Sequence, residues 1–76
     1  MPSNLSSKDV AWILEQIGIV LKRRGKEDVY VGEYAGNQKI VIVPRNKKNI
    51  PQGTLNSIWR QAGISSKTAD EIWRKR

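Results

Sequence analysis

This sequence predicts an α+β fold: a three-stranded antiparallel sheet covered by two helices, with a short C-terminal helix added. Three observations carry that reading. Apolar residues at helical spacing open the chain at Val10, Ile13, Leu14 and Ile17. Short β-prone runs follow, parted by turn residues. Two further helical stripes close the chain, Leu55, Ile58, Trp59 and Ala62, then Ala69, Ile72 and Trp73. A half-buried sheet needs one face covered, and amphipathic helices supply the cover. At 76 residues the chain is one domain, placed over residues 6–76 behind a loose tail at 1–5.

Each element has a local cause. Ser6 or Ser7 caps the first helix, with Asp9 in its first turn to complement the dipole. Gly18 ends it in a left-handed conformation. Ile19-Val20-Leu21 is a first short strand running into the basic turn Lys22 to Lys26. Val29 to Tyr34 is a second, and Ala35-Gly36-Asn37-Gln38 is a turn. Lys39 to Val43 is the clearest strand, closed by Pro44. Arg45 to Pro51 is a polar loop, and Pro51 suits the start of the second helix. Gly63 stops that helix, and Ser65 or Ser66 caps the third, whose last turn carries Arg74, Lys75 and Arg76.

Composition narrows the function. The chain has no histidine and no cysteine, and its net charge is +7. Histidine is the side chain best placed to move protons near neutral pH, and cysteine is the readiest nucleophile. Without them a Cys/His metal site and a disulfide are excluded, and no cofactor is expected. The positive charge points to an anionic partner, and its clustering favours a binding surface over a merely solubilising one. Arg23, Arg24 and Lys26 form one cluster, and Arg45, Lys47 and Lys48 another. No apolar run reaches a membrane span and no signal-peptide pattern opens the chain, so the cytoplasm is the expected compartment.

Residues 39–64 read KIVIVPRNKKNIPQGTLNSIWRQAGI. This segment resembles the HicA (YcfA-like) toxins, where a strand ending in V-P-R-H leads through a polar loop to P-G-T-L-x-x-I-x-x-Q-A-G-[IL]. Val43-Pro44-Arg45 matches, as do Gly53-Thr54-Leu55, Ile58, Gln61, Ala62 and Gly63. The resemblance extends over residues 6–65. It implies a fold like double-stranded-RNA-binding domains, a ribonuclease acting on messenger RNA, and a HicB-like antitoxin with which it can form oligomers. The family's working histidine lies in a G-S-H segment at the start of the second strand. The matching segment here is Gly25-Lys26-Glu27-Asp28, so Glu27 stands at the histidine position. The second common histidine, after V-P-R, is Asn46 here.

Metal-free RNA cleavage needs a base for the 2′-hydroxyl, an acid for the leaving oxygen and cations for the phosphate. Cations abound, but Glu27 is a doubtful base. Glu27 and Asp28 read more plainly as a solvated turn that blunts the sheet edge. Tyr30 and Tyr34 share one strand face, where at least one belongs to the core. The expectation is a HicA-like toxin that binds mRNA through Arg23, Arg24, Lys26, Arg45, Lys47 and Lys48 and is impaired or inactive in cleavage. The alternatives are an active mRNA interferase using other residues, and a non-enzymatic interaction domain.

Overall fold

Ser6 starts the first helix through a capping box. Its hydroxyl accepts the Asp9 N–H at 3.2 Å, and the Asp9 carboxylate accepts the Ser6 N–H at 2.9 Å. In the computed structural model, which describes residues 5–75, this helix is α1 (Ser7–Gln16). It is followed by β1 (Ile19–Arg23), β2 (Glu27–Tyr34), β3 (Asn37–Pro44), α2 (Gln52–Ala62) and α3 (Ser66–Arg74). The strands form one antiparallel sheet in the order β1-β2-β3. The predicted α-β-β-β-α arrangement with an added C-terminal helix is therefore the one observed.

Alternation divides the sheet into two faces. Ile19, Tyr30, Val41 and Val43 point inward and are buried with Val10, Ile13 and Leu14 of α1 and Leu55, Ile58, Trp59 and Ala62 of α2. Trp59 fills the centre and is 2% exposed. The outer face carries Val20, Val29, Val31, Ile40 and Ile42, of which Val20 and Ile40 are the most exposed. Gln61 of α2 covers the free edge of β3, its side-chain oxygen accepting the Ile42 N–H at 2.8 Å. Gly32 is required by close approach: a Cβ there would collide with the Gly18 carbonyl and lie 2.6 Å from Ile19 Cα. The second strand must therefore be bare where the chain turns from α1 into β1.

Ser65 caps α3 by accepting the Thr68 N–H at 3.1 Å. Trp73 of α3 meets Trp12 of α1 edge to face, with centroids 6.2 Å apart. Two expectations are corrected. Leu5 is not tail: it is 2% exposed and its carbonyl accepts the Ile50 N–H at 2.8 Å, which draws an apolar residue into the core; residues 1–4 lie outside the described residues. Glu27 and Asp28 are not a turn but the first residues of β2, paired with Pro44 and Val43. The longer ladder leaves Glu27 exposed and buries Asp28.

Candidate nucleic-acid interface

Ser7 builds this site. Because Ser6 serves as the N-cap, the next hydroxyl is free for a distant task. Ser7 Oγ donates to the Pro44 carbonyl at 2.6 Å and accepts the Lys47 N–H at 3.0 Å. The Ser7 N–H also donates to the Lys47 carbonyl at 2.9 Å. These bonds fix the loop after β3 against the start of α1. Asn46 makes the reversal between them with φ 55°, a left-handed conformation that asparagine tolerates better than most residues. Arg45 then reaches the β1–β2 turn, its guanidinium donating to the Gly25 carbonyl at 3.3 Å.

Under this junction lies a cavity of about 210 Å³, walled by Lys8, Arg24, Asp28, Tyr30, Arg45 and Asn46, with Ser7 and Ala11 completing it. A second hollow of about 340 Å³ shares Lys8 and Asn46 and adds Lys47 and Lys48. The two hollows make one rim with five cations. Asp28 is 9% exposed, and its Oδ1 has no hydrogen-bond partner among the described residues. Burial pushes the Tyr30 hydroxyl above the ordinary tyrosine value. The Asp28 carboxylate pushes it further, Arg24 opposes, and Glu15 adds to the rise.

The sequence-predicted residues divide. Arg24, Arg45, Lys47 and Lys48 come together on the rim. Arg23 instead lines a hollow on the outer sheet face with Lys22. Lys26 stands exposed in the turn. Glu27 is exposed at the first position of β2 and does not line the cavity, which Asp28 lines instead. Sequence reasoning missed Ser7, Lys8 and Asp28. For Asp28 a signal existed: counting back two residues from Tyr30 puts it on the same strand face. Among the described residues, no three metal-ligating side chains group together. No helix among them is long and apolar enough to cross a membrane.

The fold and this rim define a small basic α+β domain with converging cations over a cavity that holds a carboxylate. The family model described as the HicA toxin of bacterial toxin-antitoxin matches residues 7–64, most of the chain, and this chain belongs to the HicA toxin family. It is thus the toxin member of a pair whose other member is an antitoxin. The match ends before α3. No curated protein matches the chain.

Proposed function

We propose that this toxin binds messenger RNA through Lys8, Arg24, Arg45, Lys47 and Lys48, cleaves it poorly, and is neutralised in the cytoplasm by a HicB-like antitoxin. The observation that carries the reading is the closure of two sequence-remote basic loops into one rim by the bonds of Ser7 and Arg45. RNA is recognised largely through phosphate and 2′-hydroxyl contacts, and a contiguous cationic rim suits that mode. Arg brings a planar fork to phosphate, and Lys a mobile point charge. Poor cleavage follows from the missing histidine. An ionised carboxylate accepts a proton but has none to donate to the leaving oxygen.

The test is the affinity for a mixed-sequence oligoribonucleotide, measured by fluorescence anisotropy over a salt series. Each phosphate contact removed should reduce the slope of log affinity against log salt by about 0.7–0.9. Arg24→Glu combined with Lys47→Glu should flatten the slope and weaken binding across sequences. Unchanged affinity and slope in that variant would place any RNA surface elsewhere.

A further inference from the structure

We propose that the outer face of the sheet docks a second copy of this chain, face to face about a two-fold axis, in a weak dimer. The contact is separate from the RNA reading, because the rim lies on the α1 side of the sheet and stays open.

The starting point is an apolar face that the helices leave open. Both α1 and α2 pack on the inner face. The outer face keeps five β-branched residues, Val20, Val29, Val31, Ile40 and Ile42, side by side on three strands. Val20 is 49% exposed and Ile40 57%. A contiguous apolar patch marks a contact surface where a scattered residue would not. Charge says what the contact is with. Alternation puts Glu27 and Glu33 on this face with Val29 and Val31. Lys22 and Arg23 flank it at the end of β1. Two carboxylates and two cations cancel, so the whole net charge of +7 belongs to other surfaces. Nucleic acid finds no excess of cations here. A strongly acidic partner would meet Glu27 and Glu33, and is drawn to the rim instead. Two copies of so basic a chain repel least where they meet through a neutral face.

Shape supports the same occupant. A hollow of about 520 Å³ lies among Val29, Val31, Ile40 and Ile42, beside Lys22 and Arg23. Val20 stands next to it on β1, paired with Val31. A two-fold contact needs a projection and a matching recess on one surface. With the axis along the strands, the two sheets pack aligned and Val20 of each copy enters the hollow of the other. The same rotation preserves position along the strands. Arg23 of one copy therefore lies at the end where the other copy has Glu27, and opposite charges meet. The face is small, only about 10 Å from the first strand to the third. It buries less than the roughly 800 Å² per partner of a standard interface. The dimer is accordingly weak, with a dissociation constant of about 0.1–1 mM.

The experiment is sedimentation equilibrium of the full chain from about 0.01 to about 2 mM, a range that brackets this constant. The average mass should rise with concentration toward that of two chains. Sodium chloride raised from about 0.05 to about 0.3 M should strengthen the association, because screening weakens the repulsion between two +7 copies. Val20→Thr with Ile40→Thr keeps the charge and the branching at Cβ while removing apolar surface from the contact. It should lower the association constant about tenfold or more. If that variant fails to fold, Ile40→Thr alone takes its place and should show a smaller loss. A chain that stays monomeric throughout overturns the inference and leaves the face to the antitoxin. Association that survives the substitutions, as pairing through the edge of β1 would, also overturns it. So do assemblies larger than a dimer, since a two-fold contact closes on itself.

Discussion

Glu27 and Asp28 are neighbours in sequence and face opposite sides of the sheet. Glu27 pairs with Pro44 and is exposed, whereas Asp28 pairs with Val43 and turns into the cavity. A general base works only within hydrogen-bond reach of the proton it takes, so if RNA lies on the rim as proposed, position 28 and not 27 is where an imidazole would act. Asp28→His should raise cleavage of single-stranded RNA by about a hundredfold or more, the contribution of a positioned acid–base group. Glu27→His should leave cleavage at the level of the unaltered chain. The measurement is release of fluorescence from a doubly labelled oligoribonucleotide, with a heat-denatured sample controlling for contaminating nuclease. Vigorous cleavage by the unaltered chain, lost in Asp28→Asn, would show that the carboxylate already does the work. At this scale the sequence is only partly legible. Clusters of Arg and Lys announce themselves, and four of the six named cations do meet. Asp28 hides because the strand starts two residues earlier than its β-prone stretch suggests. Glu and Asp are poor strand formers, and only the ladder with β3 carries them into the sheet.

Helices and strands are legible for a simpler reason: their apolar periods and their stops agree. Gly18 and Gly63 have φ 84° and 81°, left-handed values that end α1 and α2 near the places their spacing predicts. The long-range bonds of Ser7 are not legible, since a serine before a helix reads first as a cap. Gly32 is a similar case. In sequence it only interrupts a strand; in space it is where β2 passes under the Gly18–Ile19 backbone. That contact is with main chain, which cannot swing aside as a side chain can. Gly32→Ala should therefore cost about 3 kcal/mol or more, the upper range for overpacking. Gly53 lies in the first turn of α2 and a Cβ there meets nothing within 4 Å. Gly53→Ala should stabilise by up to about 1 kcal/mol, through helix propensity alone. Urea unfolding of both variants checks the pair. Equal effects of the two substitutions would mean that the β1–β2 crossing relaxes easily.

At the scale of the whole molecule, most of a charge of +7 is confined within 27 × 27 × 21 Å. Like charges held that close destabilise the compact state, since unfolding lets them spread apart. The ion pair of Asp70 with Arg74 at 3.1 Å is on α3, away from the rim, and its Arg74 side chain is largely exposed. It therefore offsets little of the repulsion among Lys8, Arg24, Arg45, Lys47 and Lys48. A domain of this size is held by only about 4–11 kcal/mol, so even a small self-repulsion is felt. Screening follows the Debye length, about 30 Å at 0.01 M salt and about 8 Å at 0.15 M. At the lower salt the whole domain repels itself; at the higher only neighbouring cations do. Sodium chloride raised across that interval should therefore increase the melting temperature of the free protein. The same salt should weaken its hold on RNA, because the counterions released when phosphate is neutralised gain less entropy on entering a more concentrated solution. Stability and affinity thus move in opposite directions along one axis. In Arg24→Glu with Lys47→Glu the net charge falls by four, and both dependences should shrink together. A melting temperature that falls with salt, or a salt response of stability untouched by the double reversal, would show that the rim cations are not under mutual strain. The basic rim would then be a surface the fold carries without cost, and the repulsion expected to be relieved by an anionic partner would be absent.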